Sequence, residues 1–327
     1  MLLSIVIVSY NTKALTLQTL ASVEESLQRS PELDQKTDIW VVDNNSTDGS
    51  VEAVEKLVKS SSRLHLIKNQ ANLGFAGANN KAIERSKGEY VLLLNSDTVV
   101  QEDALAQMIA TFSMSQSNLE TAVLAEARDK LDHLGVLAAQ LLNPDGSLQA
   151  QGGSFPTLFS LATHMLFLDD IPVIGKFLPS TQHTGRNAHH HQGSKPYLVD
   201  WVGGTAVMIR RAVFLEAGLL DSSIFMYGED IEFCMRAKSH HWDVAILPSA
   251  KVIHYGSASS SSKNAIIGEL KGYIYIWAKH KPIWQKPILK LILGIGILLR
   301  IILFGTMIRD AHRAAIYKEA SRVLRPL

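Results

Sequence analysis

Short apolar runs alternate with stretches of helical spacing over the first hundred residues. Residues 90–94 are apolar at all five positions, which is typical of a strand buried on both faces of a parallel sheet. Strands that alternate with helices predict βαβ units and a parallel sheet. The predicted strands are 2–9, 39–42, 64–67 and 90–94, and the predicted helices are 12–27, 51–58 and 76–85.

A polar turn follows each of these predicted strands. The turns are residues 9–11, 43–45, 69–72 and 95–97. In open α/β sheets, ligands bind in the crevice outside the carboxyl ends of the strands. Four polar turns at one edge of one sheet therefore predict a binding site there.

The rest of the chain predicts further mixed structure without internal repeats. Asn143-Pro-Asp-Gly146 is a turn signal between strand-like residues 136–142 and 147–151. Residues 180–196 lack periodicity, and we interpret their triple histidine as part of a solvated loop because no fourth metal ligand stands at suitable spacing. The remaining predicted elements are a helix at 102–114, regular structure at 197–210, helices at 212–217 and 229–238, and strands at 244–247 and 251–254 separated by Pro248.

Composition narrows the class of protein. A chain of 327 residues with 46% hydrophobic content can bury a full core. Its single cysteine, Cys234, excludes an internal disulfide and fits a reducing compartment. The first residues have no positive region and no small-residue cleavage site, so we interpret them as a core strand and expect the protein on the cytoplasmic side.

Charge is distributed unevenly along the chain. From Lys279 to the end the net charge is +8, whereas the residues before it carry −7. An acidic body argues against nucleic acid as a partner, and a basic tail favours an anionic surface such as a membrane. Residues 288–308 are long and apolar enough to span a bilayer, but Arg300 stands near their middle. We therefore favour a helix at the membrane interface, or one packed on a second copy in a homodimer, over a span.

Six motifs occur in an order that resembles the family 2 glycosyltransferases, most closely the rhamnosyltransferase-like members. They are Val8-Ser-Tyr-Asn11, Val42-Asp-Asn-Asn-Ser-Thr-Asp-Gly49, Asn72-Leu-Gly-Phe-Ala-Gly77, Leu94-Asn-Ser-Asp97, Gly203-Gly204 and Gly228-Glu-Asp230. The resemblance covers about residues 1–257. It implies the GT-A fold, an α/β architecture with a Rossmann-like, mostly parallel sheet flanked by helices, here with a C-terminal helical extension. It also implies a UDP- or dTDP-sugar donor and inversion at the anomeric carbon.

The resemblance assigns roles on the donor side. Ser9, Tyr10 and Asn11 would line the nucleotide pocket, and Asp43 would accept the imide N–H of uracil or thymine. Asp43 could instead serve a turn or a helix start, a role that Asp48 could equally fill. Asn95 and Ser96 would complete the nucleotide site.

The resemblance also assigns a divalent cation, Mg²⁺ or Mn²⁺, to Asp97 and His254. Hard cations of this kind take oxygen ligands and bridge phosphates. Asn95 stands where the family pattern has its first acid, which lowers the local negative charge. A histidine at a strand end is also commonly structural, so that alternative stays open for His254.

On the acceptor side, Asp230 would be the general base and Glu229 would bind or orient the acceptor. Both carboxylates would also be favourable as caps at the start of a helix. The implied regions are a nucleotide-sugar-binding half at 1–116, an acceptor-binding and catalytic half at 117–260, and C-terminal helices with a membrane-associating segment at 261–327.

Other function classes fit less well. A nicotinamide dehydrogenase would need Gly-x-Gly-x-x-Gly after the first strand, where this chain has Ser-Tyr-Asn-Thr-Lys. A nucleotidyltransferase would need a glycine-rich, arginine-containing first loop. A non-catalytic membrane scaffold that binds sugar nucleotide stays open, because Asn95 is compatible with it. The expected protein is a peripheral enzyme on the inner face of the cell membrane that adds a sugar, rhamnose among the candidates, to a glycan or lipid-linked acceptor.

Overall fold

The computed structural model describes residues 1–116, 133–169, 195–256 and 262–324, together with Ile171, Leu178 and Gly193. The predicted irregular loop at 180–196, with its triple histidine, lies almost wholly outside the described residues. The strands are β1 (Leu3–Ser9), β2 (Thr37–Asp43), β3 (Leu64–Lys68), β4 (Tyr90–Asn95), β5 (Thr98–Val100), β6 (Leu134–Leu142), β7 (Gly152–Gly153), β8 (Tyr197–Val199), β9 (Trp201–Val202), β10 (Ala206–Arg210) and β11 (Asp243–His254).

The helices surround these strands. They are α1 (Lys13–Gln28), α2 (Pro31–Gln35), α3 (Ser50–Val58), α4 (Gly74–Ile83), α5 (Ala104–Gln116), α6 (Leu158–Met165), α7 (Arg211–Ala217), α8 (Glu229–Ser239), α9 (Ser262–His280), α10 (Gln285–Ile302) and α11 (Ala311–Ala320). A π-helical turn, Leu303–Met307, extends α10, and a 3₁₀ turn, Ser321–Leu324, follows α11.

One large sheet organises the described residues, with strand order β3-β2-β1-β4-β10-β6-β11-β5. The first four strands are parallel, as their alternation with helices predicts. The other half is mixed, because β10 pairs antiparallel with both β4 and β6, while β6 and β11 are parallel. The apolar side chains of the strands divide between the two faces of the sheet and form a hydrophobic cluster on each. A sheet buried on both faces explains the unbroken apolar run of β4.

The second half of the chain departs from the expected elements in detail. The predicted segment 197–210 forms three short strands, β8, β9 and β10, interrupted at Asp200 and at 203–205. The strands expected on either side of Pro248 are one strand, β11, whose register against β6 shifts between Leu247 and Lys251. Proline cannot donate a ladder hydrogen bond, so it is accommodated at this irregularity. The predicted turn at Asn143–Gly146 is present, and Gly146 has the positive φ (+82°) that such a turn uses.

Buried charge fixes helix α9 to helix α8. Glu232 of α8 is fully buried and pairs with Arg236 (2.8 Å) on its own helix and with Lys279 (2.8 Å) and His280 (3.0 Å) of α9. Three partners for one carboxylate compensate the loss of hydration that burial causes. The C-terminal helices are therefore attached to the helix that begins with Glu229 and Asp230.

Helix α10 explains the arginine inside the long apolar segment. Arg300 is buried in the protein, where it donates hydrogen bonds to the carbonyl oxygens of Met165 (2.7 Å) and His164 (3.2 Å) at the end of α6. The buried face of α10 consists of Leu289, Leu293, Gly296, Ile297 and Arg300. Its opposite face is apolar and exposed, with Leu291 62% and Leu298 55% accessible. By length and composition, Gln285–Met307 is long and apolar enough to cross a membrane.

Candidate active site

Three parallel strands end together at one edge of the sheet. In the register of the sheet, Ser9 at the end of β1 lies beside Asp43 at the end of β2, and Val8 lies beside Asn95 at the end of β4. The antiparallel strand β10 begins at the same edge, where the backbone N–H of Asn95 donates to the carbonyl oxygen of Thr205 (2.9 Å). The loop 203–205 is thereby brought beside the polar turn that follows β4.

Asn44 connects the two loops next to this edge. Its Nδ2 donates to Oδ1 of Asn72 (2.8 Å), and its Oδ1 accepts from Nδ2 of Asn69 (3.1 Å) and from the backbone N–H of Leu73 (3.0 Å). A buried amide with partners on both sides holds the loop after β2 and the loop after β3 in one arrangement.

Asn11 and Asp48 fix the same region from the side of β1. Asn11 has a positive φ (+53°), and its Oδ1 accepts from the backbone N–H of Thr47 (2.8 Å). Asp48 accepts from the backbone N–H of Lys13 (2.8 Å) and from the backbone N–H and hydroxyl of Ser50 at the start of α3. These hydrogen bonds from Ser50 and Lys13 lower the pKa of Asp48 against the opposing effect of burial.

Asp43 keeps one oxygen without a partner among the described residues. Its Oδ2 accepts from the backbone N–H of Ser46 (2.9 Å), whereas its buried Oδ1 accepts from none of them. Asp48 accepts the hydrogen bonds at the start of helix α3, so Asp43 does not have that structural role. A buried carboxylate oxygen costs free energy unless a donor reaches it. It is therefore suited to accept a hydrogen bond from a ligand.

Ser9 and Ser96 belong to a buried group of hydroxyls. Ser9 Oγ is 2.9 Å from Thr16 Oγ1, and Ser96 Oγ is 2.9 Å from Thr12 Oγ1. Both serines are buried, so their side chains join helix α1 to the strand ends. Tyr10 is partly buried and lies between Ser9 and Asn11 on the loop at the sheet edge.

Asp97 and His254 are neighbours at the other side of the β4 turn. Strand β11 runs antiparallel to β5, and its last residue, His254, pairs in register with Thr98, the residue after Asp97. As a result, Asp97 Oδ1 lies 3.4 Å from Nε2 of His254. The other ring nitrogen, Nδ1, is 2.7 Å from Oε1 of Gln149. A carboxylate oxygen and an imidazole nitrogen facing one another form a pair of donor atoms suited to a divalent cation.

Glu229 and Asp230 open helix α8 beside the loop 203–205. A Cβ on Gly203 would lie 3.8 Å from Oδ2 of Asp230, which places this carboxylate against the glycine pair. Oδ1 of Asp230 accepts from the backbone N–H of Ile231 (2.8 Å). Glu229 is buried, and its Oε2 has no partner among the described residues, whereas Asp230 is partly exposed. Asp230 is therefore the carboxylate of this pair that a ligand can reach.

Burial sets the ionisation of this pair. Burial, and next the charge of Asp230, raises the pKa of Glu229 to about 8. Burial also raises the pKa of Asp230, against backbone hydrogen bonds from Ile231 and Gly204 that lower it. Two close carboxyl groups do not both ionise readily, so one proton is retained between them. With that proton on Glu229, Asp230 carries the negative charge.

The segment before Glu229 is held on two sides. Phe75 donates its backbone N–H to the carbonyl oxygen of Phe225 (2.8 Å), and a Cβ on Gly74 would come within 2.1 Å of that oxygen. On the other side, a Cβ on Gly272 of α9 would come within 2.3 Å of the carbonyl oxygen of Tyr227. Tyr227 and Gly228 both have positive φ, +72° and +106°, which turns the chain into α8. The start of α4 and the middle of α9 thus fix where the two carboxylates stand.

Comparison with known proteins shows which family the chain is similar to. Residues 4–132 match the family model described as glycosyl transferase family 2. The chain carries a match to the glycosyl transferase family 2 domain over these residues. The N-acetylglucosaminyl-diphospho-decaprenol L-rhamnosyltransferase of Mycobacterium tuberculosis is 24% identical to it over 300 residues, which cover 88% of this chain and 87% of the relative. The predicted resemblance to family 2, and to its rhamnosyltransferase-like members, is confirmed.

Solved structures show the fold of the glycosyltransferase. GalNAc-T7 in complex with UDP, GalNAc and Mn²⁺ superposes with a TM-score of 0.62 at 15% identity, over 99% of this chain and 56% of that one. A mannosyltransferase from Pyrobaculum calidifontis, in complex with GDP-Man and Mn²⁺, superposes with a TM-score of 0.55 at 13% identity, over 98% of this chain and 83% of that one. The predicted α/β GT-A architecture with C-terminal helices is confirmed, with the sheet mixed in its second half.

The glycosyltransferase brings the predicted residues to one edge of its sheet, but their side chains differ in availability. Asp43, Asp97, His254 and Asp230 present atoms to this edge, whereas the Ser9 and Ser96 hydroxyls and the Asn11 amide make contacts within the protein. Their assigned roles in binding and catalysis stay predictions. Sequence reasoning missed Asn44, although it lies inside a quoted motif, and Gln149, which lies in the predicted hairpin.

Trp201, Arg210 and Arg211 have structural roles. Trp201 is buried and donates from Nε1 to the carbonyl oxygen of Ser154 (3.0 Å). Arg210 pairs in register with Tyr90, at the amino end of β4, and donates to the carbonyl oxygen of Leu134 (2.7 Å). Arg211 donates to the carbonyl oxygen of Gly88 (2.5 Å). Both arginines therefore lie at the opposite end of β4 from Asp97.

Proposed function

We propose that this glycosyltransferase moves a sugar from a UDP- or dTDP-sugar to a glycan or lipid-linked glycan acceptor, with inversion, in cell-surface polysaccharide synthesis. One observation carries the proposal. A carboxylate–imidazole pair, Asp97 and His254, and a second, partly exposed carboxylate, Asp230, stand at the same edge of the sheet, on either side of the junction between β4 and β10. Inverting transfer needs these two kinds of group, one for the leaving diphosphate and one for the acceptor hydroxyl.

The donor nucleotide is assigned to the ends of β1 and β2. The free Oδ1 of Asp43 is an acceptor for the imide N–H of uracil or thymine, a group that cytosine and purines other than guanine lack. Tyr10 and the backbone of the loop at Ser9–Asn11 border the same position. The mycobacterial relative is an N-acetylglucosaminyl-diphospho-decaprenol L-rhamnosyltransferase, which supports dTDP-rhamnose as the first donor to test and a lipid-linked acceptor.

Asp97 and His254 fit a divalent cation by their chemistry. They offer one carboxylate oxygen and one ring nitrogen, 3.4 Å apart. No group of three or more potential protein ligands occurs within the described ranges, so the diphosphate and water would complete the coordination. Both superposed structures are complexes with Mn²⁺, which supports this assignment for our protein. When bound, the cation would neutralise the charge that develops on the leaving diphosphate.

Asp230 is proposed as the general base. The acceptor hydroxyl gives its proton to Asp230, and its oxygen attacks the anomeric carbon from the face opposite the diphosphate. The bond from the anomeric carbon to the diphosphate oxygen breaks, and the electron pair leaves with the diphosphate. The buried Glu229, by retaining a proton, leaves Asp230 ionised, which is the form a base requires. Gly204 lets the ring of Phe75 pack against the backbone, since a Cβ there would lie 2.7 Å from that ring, and Gly203 keeps the backbone beside Asp230.

The exposed face of α10 is proposed to lie on an anionic membrane surface. Because the other face packs on α6 and buries Arg300, α10 is attached lengthwise to the catalytic body. Lys286 and Lys290 stand on the same helix, and Arg309, Arg313 and Lys318 follow it. An apolar face bordered by basic residues is typical of interfacial helices. This placement supports a peripheral enzyme on the cytoplasmic face rather than one that spans the membrane.

The general base is tested with Asp230→Asn. This change keeps the shape of the side chain but removes its basicity, so sugar transfer should fall by about 10²–10⁴-fold. Binding of UDP or dTDP, measured by calorimetry, should stay within about threefold of the wild type. The matched control is Asp200→Asn, on an aspartate whose side chain contacts Phe155 and Lys238 and not the glycine pair.

Asp230→Asn with unimpaired transfer would remove Asp230 from the mechanism. The assay uses UDP-glucose, UDP-galactose, UDP-GlcNAc and dTDP-rhamnose with Mn²⁺, and it also measures donor hydrolysis. Absence of cation-dependent turnover of every donor would instead favour the non-catalytic scaffold.

The membrane assignment is tested by the double change Leu291→Glu and Leu298→Glu. Two charges on the exposed face should release the protein from vesicles of phosphatidylethanolamine and phosphatidylglycerol, because burying them in the interface is unfavourable. Leu215→Glu is the control, on a leucine that is 81% exposed on α7. Equal sedimentation of the double variant and the control with vesicles would contradict membrane binding through α10.

A further inference from the structure

The hairpin that follows β6 makes a chain of side-chain hydrogen bonds that ends at His254. Ser147 donates from Oγ to Oδ1 of Asp145 (2.6 Å), and Asn143 donates from Nδ2 to Oγ of Ser147 (2.9 Å). Gln149 donates from Nε2 to Oδ1 of Asn143 (2.9 Å). Oε1 of Gln149 then lies 2.7 Å from Nδ1 of His254. Four contacts thus connect an aspartate in the turn to the imidazole that faces Asp97.

The ionised carboxylate of Asp145 fixes which group donates and which accepts in each of these hydrogen bonds. An ionised carboxylate only accepts, and a serine hydroxyl has one hydrogen to give. Hydrogen bonds from the hydroxyl and the backbone N–H of Ser147 lower the pKa of Asp145, which keeps it ionised. Once the Ser147 hydrogen points to Asp145, its oxygen must accept from Asn143, and each amide along the chain then has one consistent orientation.

The same order decides which nitrogen of His254 carries hydrogen. The amide oxygen of Gln149 can only accept, so Nδ1 of His254 must be the donor. In a neutral imidazole the second nitrogen then has a lone pair. Nε2 of His254 therefore presents a lone pair to Oδ1 of Asp97, 3.4 Å away. Two acceptors that face each other make no hydrogen bond, but both can bind one cation.

The opposite orientation of the two amides would break the hydrogen bond from the Ser147 hydroxyl to the charged carboxylate of Asp145. If both amides were turned round, Ser147 would have to give its hydrogen to Asn143 and lose its hydroxyl contact with Asp145. Hydrogen bonds to charged groups are the stronger kind. The backbone of Gln149 is also held, because its N–H donates to the carbonyl oxygen of Leu141 (2.9 Å) and its carbonyl oxygen accepts from Nε2 of Gln140 (3.3 Å). The hairpin therefore favours one tautomer of His254.

We propose that Gln149, oriented by Asn143, Ser147 and Asp145, is a positioning residue that holds His254 in the tautomer with hydrogen on Nδ1 and so prepares Nε2 to bind the cation. Partners of this kind on the outer nitrogen of a metal-binding histidine orient the ring and raise metal affinity by about 10–100-fold. The inference rests on the proposed cation site for His254. It assigns a role to the hairpin 143–149, which contains neither of the proposed cation ligands.

The tautomer can be measured without any cation. Full-length protein labelled with ¹⁵N-histidine gives long-range ¹H–¹⁵N spectra in which the protonated and unprotonated ring nitrogens differ, and His254→Asn identifies the His254 signals. The spectra are recorded about two units above the ordinary histidine pKa of ~6.5, so that the ring is neutral. We expect Nδ1 to be protonated in the wild type and hydrogen to move to Nε2 in Gln149→Met. Hydrogen on Nε2 in the wild type, or an unchanged tautomer in Gln149→Met, would overturn the proposal.

Two further variants separate positioning from a general structural role. Gln149→Glu keeps an acceptor toward Nδ1 and should keep the wild-type tautomer. Gln140→Met is the matched control, because among the described residues this amide donates to the backbone carbonyl oxygens of Leu141 and Gln149 and not to the Gln149 side chain that faces His254. It should leave the tautomer unchanged. A change of tautomer in Gln140→Met equal to that in Gln149→Met would show a general disturbance of the hairpin and contradict the proposal.

Binding of Mn²⁺ alone, titrated by electron paramagnetic resonance, gives the second readout. Affinity should fall about tenfold or more in Gln149→Met and stay within about threefold in Gln149→Glu and Gln140→Met. Unchanged affinity in Gln149→Met would overturn the positioning role. If His254 is not a cation ligand, His254→Asn will bind Mn²⁺ as tightly as the wild type does. This result distinguishes failure of the proposed cation site from failure of the positioning role of Gln149.

Discussion

The donor side and the acceptor side of the sheet edge differ in how their polar groups are partnered. On the donor side, Asn44, Asn11 and Asp48 each join two segments by hydrogen bonds, and Asp43 keeps a single oxygen free among the described residues. On the acceptor side, Glu229 and Asp230 are packed together, and their pKa values are raised by burial. The proposed donor side is thus preorganised by its hydrogen bonds, whereas the proposed acceptor side holds charge in a form suited to proton transfer.

The largest effect is expected where the two sides meet. Gly74, at the start of α4, has φ of +73°, and a Cβ there would lie 2.1 Å from the carbonyl oxygen of Phe225. Gly74→Ala should lower the free energy of unfolding by about 3 kcal/mol, because backbone strain and a backbone clash add. Urea denaturation followed by circular dichroism measures this change.

Gly146→Ala is the control for backbone strain alone. Gly146 has nearly the same φ, +82°, but a Cβ there would meet nothing within 4 Å. Its loss of stability should be about 1 kcal/mol. Equal losses in the two variants would show that the contact of Gly74 with Phe225 does not join the donor and acceptor sides.

A smaller effect is expected from Asp43→Asn on nucleotide binding. Asparagine has one acceptor oxygen where aspartate has two, so it cannot accept from both the backbone N–H of Ser46 and the imide N–H of uracil. Affinity for UDP, measured by calorimetry, should fall about 30-fold, equivalent to about 2 kcal/mol. CDP is the control nucleotide, because cytosine has an acceptor at the imide position and should not lose affinity. Equal losses for UDP and CDP would contradict base reading by Asp43.

The smallest effect is expected from Glu229→Gln and depends on pH. The folded-state pKa of Glu229 is raised to about 8 from an ordinary 4.5, so its contribution to stability is complete below the ordinary value and is lost as pH rises through the raised one. Glutamine resembles the protonated acid and does not titrate. The variant should therefore gain stability relative to the wild type as pH rises from about 4.5 to about 8.

Thermal unfolding of both proteins across this pH range measures the difference. Asp169→Asn is a suitable control, on a partly buried carboxylate that pairs with His164 far along the chain from Glu229. A stability difference that stays constant with pH would show that Glu229 is not held protonated by the fold.

Local pattern predicted the donor side well because its four strands follow one another in sequence and are all neighbours in one parallel part of the sheet. The strands β1 to β4 are parallel, each carries its own apolar run, and each ends in the polar turn that the sequence places after it. The positions of Asp43 and Asp97 at a common edge follow from that alternation alone. The alternation does not predict the free oxygen of Asp43. That oxygen is free because Asp48, and not Asp43, accepts the hydrogen bond at the start of α3.

The acceptor side, the cation site and the packing of α10 could not be predicted in the same way because they are built from distant segments. Strand β10 enters antiparallel beside β4, and His254 reaches Asp97 only through the pairing of β11 with β5. Gln149 contacts His254, which lies 105 residues away in the sequence, and no periodicity in the sequence predicts this contact. In the sequence, Arg300 argued against a membrane-spanning helix. In the structure it donates hydrogen bonds to carbonyl oxygens at the end of α6, and the sequence around Arg300 does not predict these partners.

A crystal structure of the protein with Mn²⁺ and UDP tests the central claim most directly, with Mn²⁺ located by its anomalous scattering. Our account predicts the ion bonded to the carboxylate of Asp97 and to Nε2 of His254, with the base on Asp43 and the carboxylate of Asp230 facing the same cavity from the acceptor side. An ion bound elsewhere, or Asp97 and Asp230 facing separate cavities, would contradict it.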